Sequence, residues 1–412
     1  MLRQSSIIGI TAAVILLLVR VGYSKDLRTV TEPKTPQNCT TLKATSGDDT
    51  KTIQNALDTC TKGKAVKLSS GTFYSGPLTI PSGISLLVDS GATLKALPDP
   101  SLYDMGEETC GTIDKYGVGC KPFITIRDAS GSGIYGKGTI DGQGQKKMTG
   151  KTESWWQLAN NANRSTVQNA PRLLQINNSA DITLYQITLQ NAPFYHVVSS
   201  RTNGLTVWGV TIYAPPSSRN TDGIDPSGYN ITIAHCNIST GDDDVAIKAK
   251  IAPARHISVL NNHFGKGHGM SIGSEITYGV SDVTVSGLTL DGATYGLRIK
   301  SNSYRGGLVT GVTYTNVCMH NVQQPILLDT RYENYLTGNL TPQFHDVTFT
   351  NVKVLTAGTF TFNGFSDSKP VQATMEDVHI KKGSKWITKY AKITGTWAED
   401  VTGTLCGYAG NE

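Results

Sequence analysis

Two short stretches in the middle of the chain are crowded with aspartates. NTDGID contains Asp222 and Asp225, and GDDD contains Asp242, Asp243 and Asp244. Ionised neighbours repel one another and aspartate is a poor strand residue, although the surrounding sequence is typical of β-strands. Hydrolysis of a glycosidic bond uses carboxyl groups in pairs, because one acid must donate a proton to the leaving oxygen while another activates water. Crowding supplies this difference, since neighbouring like charges raise the pKa of one acid.

Basic residues follow the aspartates along the chain. His268 lies in GHGMSIGSE, and Arg298 and Lys300 lie in RIKS. A set of solvated surface charges is one alternative, but stacked acids repel and serve no packing purpose. A calcium site is another, because Ca²⁺ binds carboxylate oxygens, yet two basic residues beside it would oppose a divalent cation. We therefore favour acid–base hydrolysis, and we expect neither a metal nor another cofactor.

A repeated pattern of alternating apolar residues must position these side chains. The first aliphatic residues of its copies are spaced by 23, 26, 26, 26, 29 and 35 residues; the copies are DITLYQITL, GLTVWGVTI, NITIAHCNI, HISVLNNHF, DVTVSGLTL, GVTYTNVCM and DVTFTNVKV. Such a period belongs to stacked repeats, and alternation within each copy predicts strands. The chain is therefore predicted to be all-β, a right-handed parallel β-helix with one coil per repeat. Residues 52–61 have the pattern of an amphipathic helix, which would cap the N-terminal end of the solenoid.

Positions within the repeat predict which side chains stack. Asp242 and His268 both lie 11 residues after the first aliphatic residue of their copies, so they should stack about 5 Å apart on adjacent coils. Asp222 and Lys300 both lie 17 residues after theirs, and Arg298 shares a strand face with Lys300. The spacing therefore gathers acids, a histidine and two cations along one side of the helix.

Strict alternation along DDDVAIK separates the three consecutive acids. It places Asp242 and Asp244 on one face and Asp243 on the other, together with Val245 and Ile247. Asp242 and Asp243 can then reach one cleft only if the chain bends between them. For Asp244 we expect exposure to solvent.

Four of these segments, NTDGID, GDDD, GHGMSIGSE and RIKS, resemble in order and spacing the signature segments of glycoside hydrolase family 28, the polygalacturonases. RTVTEPKTPQNCTTLKA, GTIDGQG and PILLDTRYE are most similar to bacterial endopolygalacturonases, so the resemblance covers nearly all of the chain after its first 24 residues. It implies a parallel β-helix enzyme that hydrolyses α-1,4 bonds between galacturonates in pectin, with inversion and without a metal. The expected substrate is de-esterified homogalacturonan, cleaved internally.

The same resemblance assigns roles to the residues that could do chemistry. It implies that Asp242 is the general acid and that Asp222 and Asp243 activate water. His268 resembles the residue that tunes the protonation of the acid. All four are therefore candidate catalytic residues.

Substrate-binding residues follow from the resemblance as well. Arg298 and Lys300 are similar to the ligands of the substrate carboxylate, and Tyr332 to an aromatic subsite residue. Asn220 would orient Asp222 or the sugar. For Asp225 two roles stay open, binding of sugar hydroxyls and support of the turn.

The N-terminus is predicted to be a secretory signal peptide over residues 1–24. Arg3 supplies a positive charge, residues 7–19 are almost wholly apolar, and residues 22–24 form a small-x-small cleavage site. The apolar stretch is short of the roughly 20 residues that span a membrane. We expect a secreted, extracellular protein whose residues 25–412 form a single β-helix domain, with no membrane association.

Seven cysteines in an exported chain indicate disulfides and one free thiol. Cys39–Cys60 and Cys110–Cys120 are the expected pairs, because each closes a short loop rich in turn residues. Cys236, Cys318 and Cys406 remain without an assigned partner, although Cys236 lies in a strand pattern typical of a buried, unreactive thiol. Six sequons, at Asn38, Asn163, Asn177, Asn230, Asn237 and Asn339, would be glycosylation sites in a eukaryotic host; the sequons alone leave glycosylation open.

The charge balance agrees with an acidic partner. Loss of Arg3 and Arg20 with the signal peptide lowers the formal net charge from +5 to +3. A small positive excess suits a polyanion such as polygalacturonate, and nucleic acid is disfavoured because the chain has no nucleic-acid-binding motif. A monomer is expected. The alternatives are an exo-acting or rhamnogalacturonan-directed relative and a catalytically silent pectin-binding solenoid.

Overall fold

The structure, a computed structural model, describes residues 24–403 and 405–406, so the predicted signal peptide lies almost entirely outside the described residues. In chain order the strands are β1 Asn38–Leu42, β2 Ala65–Ser75, β3 Leu78–Thr79, β4 Ser85–Ala96, β5 Ile113–Asp114, β6 Ile124–Arg127, β7 Gly133–Tyr135, β8 Thr139–Asp141, β9 Val167–Gln168, β10 Leu174–Asn177, β11 Ala180–Tyr185, β12 Thr188–Gln190, β13 Val197–Ser200, β14 Thr202–Trp208, β15 Thr211–Tyr213 and β16 Ile224–Asp225. They continue with β17 Gly228–Ala234, β18 Asn237–Ser239, β19 Val245–Ile247, β20 Ala254–Leu260, β21 His263–Phe264, β22 Met270–Gly273, β23 Val280–Asp291, β24 Tyr295–Lys300, β25 Leu308–His320, β26 Gln324–Asp329, β27 Gln343–Phe344, β28 Val347–Val354, β29 Thr359–Asn363, β30 Val371–Ile380, β31 Lys385–Lys389 and β32 Ala391–Ala398.

These strands wind into a right-handed parallel β-helix, which confirms the predicted fold. Nineteen strands form one sheet and eleven form a second, while β5 and β9 make a separate antiparallel pair. The first aliphatic residues of the repeat pair directly from coil to coil and are all buried, in the order Ile182, Leu205, Ile231, Ile257, Val283, Val312 and Val347. Each coil therefore adds one layer to a continuous apolar core.

The residue directly before each of these aliphatic residues bends the coil, within a strand in six of the copies and just before β28 in the seventh. It has a positive φ in all seven copies, at Asp181, Gly204, Asn230, His256, Asp282, Gly311 and Asp346. Glycine, asparagine and aspartate tolerate this left-handed conformation better than other residues do. The aspartate, asparagine or glycine at the start of most copies is thus the local sequence signal for this bend of the coil.

Three helices lie among the described residues: α1 Thr50–Thr59, α2 Pro100–Tyr103 and α3 Trp155–Asn161. Helix α1 begins two residues before the predicted 52–61, and the chain is extended at Cys60. Its Ile53 and Leu57 are buried in the core against β2 and β3. That α1 closes the end of the solenoid stays a prediction. Within the described part of the chain, none of the helices has the length and apolar character needed to cross a membrane.

Three disulfides join segments of the described chain. Cys39–Cys60 and Cys110–Cys120 form as expected from their short loops. The third, Cys318–Cys406, joins β25 to the C-terminal segment across 88 residues and was left open by the sequence. Cys236 is a buried free thiol, and burial raises its pKa to about 12.

The eleven-stranded sheet carries the residues that could do chemistry. Strands β10, β13, β16, β19, β22 and β24 are consecutive neighbours in it. Inward-facing residues pair along this sheet in the order Leu174, Val197, Ile224, Val245, Met270 and Leu297, and all are buried. Side chains alternate along a strand, so the next residue of each strand faces outward. The four segments with candidate residues consequently lie on four adjacent coils.

Candidate active site

A row of side chains lies two residues before the paired apolar residues, where each coil enters the sheet. It consists of Arg172, Tyr195, Asp222, Asp243, His268 and Tyr295, and we call it the cleft row. Backbone hydrogen bonds continue the parallel register into this row, for example from Gly223 N to Asp243 O at 2.8 Å. Neighbouring members are therefore about 5 Å apart along the helix axis.

Asp242 and His268 contact each other directly. The distance from His268 Nδ1 to Asp242 Oδ1 is 3.0 Å, and the His268 amide donates to Asp242 O at 2.7 Å. The predicted contact is present, but His268 is in register with Asp243, so the repeat count is one residue off. Asn220 Nδ2 donates to the other carboxylate oxygen of Asp242 at 3.4 Å. With 20% of its side chain exposed, Asp242 is more accessible than the neighbouring Asp243, which is 1% exposed.

Asp243 is buried under two cations. Its carboxylate accepts hydrogen bonds from Lys300 Nζ at 2.9 Å, from Ser271 Oγ at 2.8 Å and from Arg298 Nη2. Burial raises the pKa of Asp243, but the charges of Arg298 and Lys300 outweigh it and hold this pKa far below its usual range. Asp243 is consequently ionised in the folded protein at neutral pH.

The three consecutive aspartates do not follow strand alternation. They precede β19, and the amides of Asp244 and Val245 both donate to Gly269 O, at 3.1 and 3.3 Å. Two successive amides on one acceptor mark a local bend, which turns Asp243 outward to Ser271 and Arg298. The expectation that Asp243 shares a face with Val245 is therefore wrong.

Asp244 is buried, not exposed to solvent as expected. Its carboxylate accepts from Gly269 N at 3.0 Å and from Thr240 Oγ1 at 3.4 Å. Burial raises the pKa of Asp244 well above its usual value, since the backbone hydrogen bond offsets only part of the desolvation. The side chain supports the bend from inside the coil and does not reach the cleft.

Asp222 and Asp225 are both buried carboxyl groups near the cleft row. One oxygen of each, Oδ1, is buried and has no hydrogen-bond partner in the part of the chain that the structure describes. Burial raises the pKa of Asp222 well above its usual value, and the charges of Asp242 and Asp225 raise it further. Burial likewise raises the pKa of Asp225 to about 7, although Lys248 opposes the shift.

Lys300 does not share a register position with Asp222. Ile224 and Leu297 belong to the same row of paired residues. Asp222 lies two residues before Ile224, whereas Lys300 lies three residues after Leu297 and pairs with Gly273 and Asp329. The spacing of 17 residues misleads because the turns differ in length from coil to coil. Arg298 and Lys300 do share a face, since both reach Asp243.

Aromatic rings line the two cations. The Arg298 guanidinium carbon lies 4.0 Å from the centroid of the Tyr295 ring, and Lys300 Nζ lies 5.1 Å from that of Tyr332. Tyr295 also meets the His268 ring edge to face at 5.4 Å. Tyr332 had been identified in the sequence, whereas Tyr295 was missed; its place in the cleft row was the available signal.

A second ionic group was also missed. Lys248 Nζ lies 3.1 Å from Glu275 Oε2, and Arg305 pairs with Glu333 at 2.7 Å and with Glu275 at 3.5 Å. Lys248 lies five residues after Asp243, directly after β19. This network links the turns after β19, β22, β24 and β26 beside the cleft.

A divalent cation fits the acid cluster poorly. One ligand atom each of Asp242, Asp243 and His268 lie within 4.8 Å of one another. Both oxygens of Asp243 are already paired with the cations of Arg298 and Lys300. An added cation would therefore face two positive charges in a buried site.

The parallel β-helix sets three buried or half-buried aspartates in different environments beside a histidine and two cations, an arrangement suited to the acid–base chemistry of a glycoside hydrolase. Residues 60–400 match the model of glycosyl hydrolases family 28, and the chain belongs to this family.

Similar proteins cover almost the whole chain. An endo-polygalacturonase of Pectobacterium parmentieri is 49% identical over 94% of this chain and 98% of its own length, as is that of Pectobacterium carotovorum subsp. carotovorum. The solved structure of a polygalacturonase from Erwinia carotovora ssp. carotovora superposes with a TM-score of 0.86 at 48% identity, covering 90% of this chain and all of the other.

Proposed function

We propose that this protein is a secreted endo-polygalacturonase that hydrolyses α-1,4-galacturonosyl bonds of de-esterified homogalacturonan with inversion. The observation that carries the proposal is the pairing of Arg298 and Lys300 with the single carboxylate of Asp243. The two cations share the one carboxylate that they contact, so N–H donors of both remain for charge-assisted hydrogen bonds to the carboxylate of a sugar. Internal cleavage is supported by the endo-polygalacturonases of Pectobacterium, which match this chain over nearly its full length.

Three aspartates divide the chemistry in this proposal. Asp242, the more exposed acid, donates a proton to the glycosidic oxygen, and its hydrogen bond with His268 orients it. Asp222 and Asp243 hold the attacking water, which loses its proton as it attacks the anomeric carbon. Asp243 stays ionised throughout, so Asp222 is the acid that accepts this proton.

Substrate binding would move one proton between the acids. In the free site the pKa of Asp222 is raised by burial, whereas that of Asp242 is lowered: burial raises it, but the hydrogen bond and charge of His268 together with the charge of Lys300 outweigh this effect. A galacturonate carboxylate at Arg298 and Lys300 cancels positive charge beside Asp242 and thereby raises its pKa. The proton then resides on Asp242, and Asp222 is left as the base.

The remaining contacts would position the sugar. Asn220 holds Asp242 in this structure, so its role is to orient the acid. Tyr332 and Tyr295 offer ring faces beside the cations on which a pyranose can pack. Asp225, with an unpartnered buried oxygen, would donate to or accept from a sugar hydroxyl according to its protonation.

The setting of the enzyme follows from its covalent structure and charge. Three disulfides are typical of an oxidising compartment, which supports secretion and an extracellular site of action. The predicted signal peptide over residues 1–24 would direct the chain there. The enzyme would act as a monomer on pectin.

Conservative substitutions of the three acids test the proposal. Asp222→Asn, Asp242→Asn and Asp243→Asn should each lower the release of reducing ends from polygalacturonate by about 100-fold or more, the usual scale for loss of an acid or base. The exposed Asp128→Asn is the matched control and should retain activity. Residual activity above a tenth of wild type would remove that residue from the catalytic set.

Product analysis separates the alternatives. Mixed oligomers at early times support internal cleavage, monomer alone indicates an exo-acting relative, and binding without products indicates a silent pectin-binding solenoid. Proton spectra recorded during hydrolysis should show the β-anomer first, because inversion of an α-bond gives a β-product. Initial appearance of the α-anomer would contradict the proposed stereochemistry.

A further inference from the structure

Arg172 begins the cleft row on the side of the acids opposite to Arg298. It lies two coils before Asp222 and three before Asp243, whereas Arg298 lies on β24, two coils after Asp243. With one coil about every 4.8 Å, Arg172 is about 14 Å from Asp243 along the helix axis. A polymer lying in the cleft would therefore pass the acids between two arginines.

A cavity of about 310 Å³ surrounds Arg172 and extends to Asp225, beside the acids. Gln175, Phe194, Tyr195 and Lys248 also line it. Its outer wall is formed by the loop after β5, where Tyr116 is 70% exposed. The cavity thus offers ring faces, one amide and the cations of Arg172, Lys248 and Lys250, beside the carboxyl groups of Asp225 and Glu275. Apolar and aromatic walls with a few placed polar groups are typical of a ligand site.

Arg172 has a fixed position but spare hydrogen-bonding capacity. Its guanidinium lies 5.7 Å from the centroid of Phe194 and 5.8 Å from that of Tyr195, and Nη1 donates to Gln175 Oε1 at 3.0 Å. The buried Nε has no hydrogen-bond partner among the described residues. A guanidinium has five N–H donors in one plane, so an edge remains for a bidentate carboxylate.

No carboxylate within the described part of the chain forms an ion pair with Arg172. Other cations of the cleft are paired, Arg298 and Lys300 with Asp243 and Lys248 with Glu275. Burying a charge without a counter-ion is unfavourable, and an anionic ligand would relieve this cost. Lys248, whose partner Glu275 also lines the cavity, would contribute little net charge.

We infer that Arg172 and its cavity bind the carboxylate of a second galacturonate unit, several sugars away from the bond that is cleaved. The inference rests on the proposed function, because it names a further contact of the same polymer. Arg172 would act as a specificity residue that favours long, de-esterified chains and sets where along them the acids cut. The ring of Tyr195 would pack against the same sugar.

The test compares substrate lengths. Arg172→Gln removes the charge but keeps hydrogen-bonding atoms, and kcat/KM is measured for galacturonate oligomers of three to eight units. We expect a loss of about tenfold or more for the longest oligomers, the scale of one charged contact, and less than twofold for those too short to reach the cavity. Arg172→Lys should recover part of the loss, and the exposed Arg127→Gln on the neighbouring strand β6 is the matched control.

Two outcomes would overturn the inference. An equal loss at every length would mean that Arg172 supports the acids, and no loss at any length would mean that it binds no carboxylate. If the wild-type protein cleaves none of these oligomers, the proposed function fails. In that case, binding of the eight-unit oligomer is measured by calorimetry. Weaker binding by Arg172→Gln but not by Arg127→Gln would still support the carboxylate site, and equal binding by the two variants would refute it.

Discussion

At the scale of single residues, the cleft differs from a charged surface because each acid has a distinct environment. Asp243 is paired with two cations and Asp242 with an imidazole. One buried oxygen of Asp222 has no hydrogen-bond partner among the described residues. Like charges raise a pKa and hydrogen bonds to the ionised form lower it. Three chemically identical side chains therefore have different affinities for protons, as acid–base hydrolysis requires.

His268 is expected to control the proton affinity of Asp242. The hydrogen bond from His268 lowers the pKa of Asp242, so His268→Ala should raise this pKa as well as reduce turnover. The limb of the pH–rate profile on which the acid loses its proton should move to higher pH. The profile of kcat on polygalacturonate measures this shift, and an unchanged profile would separate His268 from the titration of the acid.

Asp225 makes stability fall as the pH rises. Its pKa is about 7 in the folded protein and near 3.8 when unfolded, so the native state binds more protons between these values. Stability is therefore full below about pH 4 and is lost progressively toward pH 7, by up to about 4 kcal/mol. Asp225→Asn should make this decline less steep by the share that Asp225 contributes, while the raised pKa values of Asp222 and Asp244 leave part of it, as measured by urea unfolding at pH 4.5 and 7.5. An equally steep decline in the variant would show that another group is responsible.

Arg298 and Lys300 are expected to distinguish free acid from methyl ester. Lys300→Gln or Arg298→Gln should lower kcat/KM on polygalacturonate by about 10-fold to 1,000-fold, and much less on heavily methylated pectin, because only the free acid carries the charge they bind. Both cations also hold Asp243. Equal losses on the two substrates would therefore mean that they only fix the acid and do not recognise the sugar.

At the scale of elements, the bend before β19 brings Asp242 and Asp243 to one cleft. Gly269 makes this bend possible: its carbonyl accepts from Asp244 and Val245, and its amide donates to Asp244. Its φ is +67°, and a Cβ there would lie 2.2 Å from Tyr295 O. No other residue type fits both constraints.

Gly269→Ala should therefore abolish activity and strongly lower the melting temperature. Gly292 is the matched control, because its φ of +81° is similar while the nearest atom to an added Cβ is 3.7 Å away. Gly292→Ala should lower the free energy of unfolding by only about 1–2 kcal/mol, which is the cost of placing alanine in the left-handed conformation. Melting curves and initial rates of both variants check this, and similar effects in the two would exclude the close contact as the cause.

At the scale of the whole molecule, stability accumulates coil by coil, and a disulfide ties the last coils to the C-terminal segment. Cys318–Cys406 closes 88 residues, while Cys110–Cys120 closes 10. A disulfide that closes a long loop restricts the unfolded chain more than one that closes a short loop. Cys318→Ser should therefore lower the free energy of unfolding by about 4 kcal/mol, and Cys110→Ser should lower it by less. Melting temperatures of the two variants test the order, and a larger effect of Cys110→Ser would contradict it.

Strand pattern and repeat period by themselves determined the architecture. The alternation of apolar residues marked the strands, the spacing marked the coils, and the count from Ile231 and Ile257 placed His268 against Asp242. These features depend on the pleat and on the distance between coils, which are the same in every β-helix. They could be predicted because a strand leaves each side chain only two directions.

Only the tertiary structure decided what happens where the chain leaves the strand. The outward turn of Asp243 and the burial of Asp244 depend on one carbonyl, that of Gly269, accepting two amides. The register of Lys300 depends on the lengths of the turns. That Arg172 has no counter-ion among the described residues depends on side chains from coils far apart in the sequence. A turn has no period, so its direction is set by the hydrogen-bond partners that neighbouring coils present.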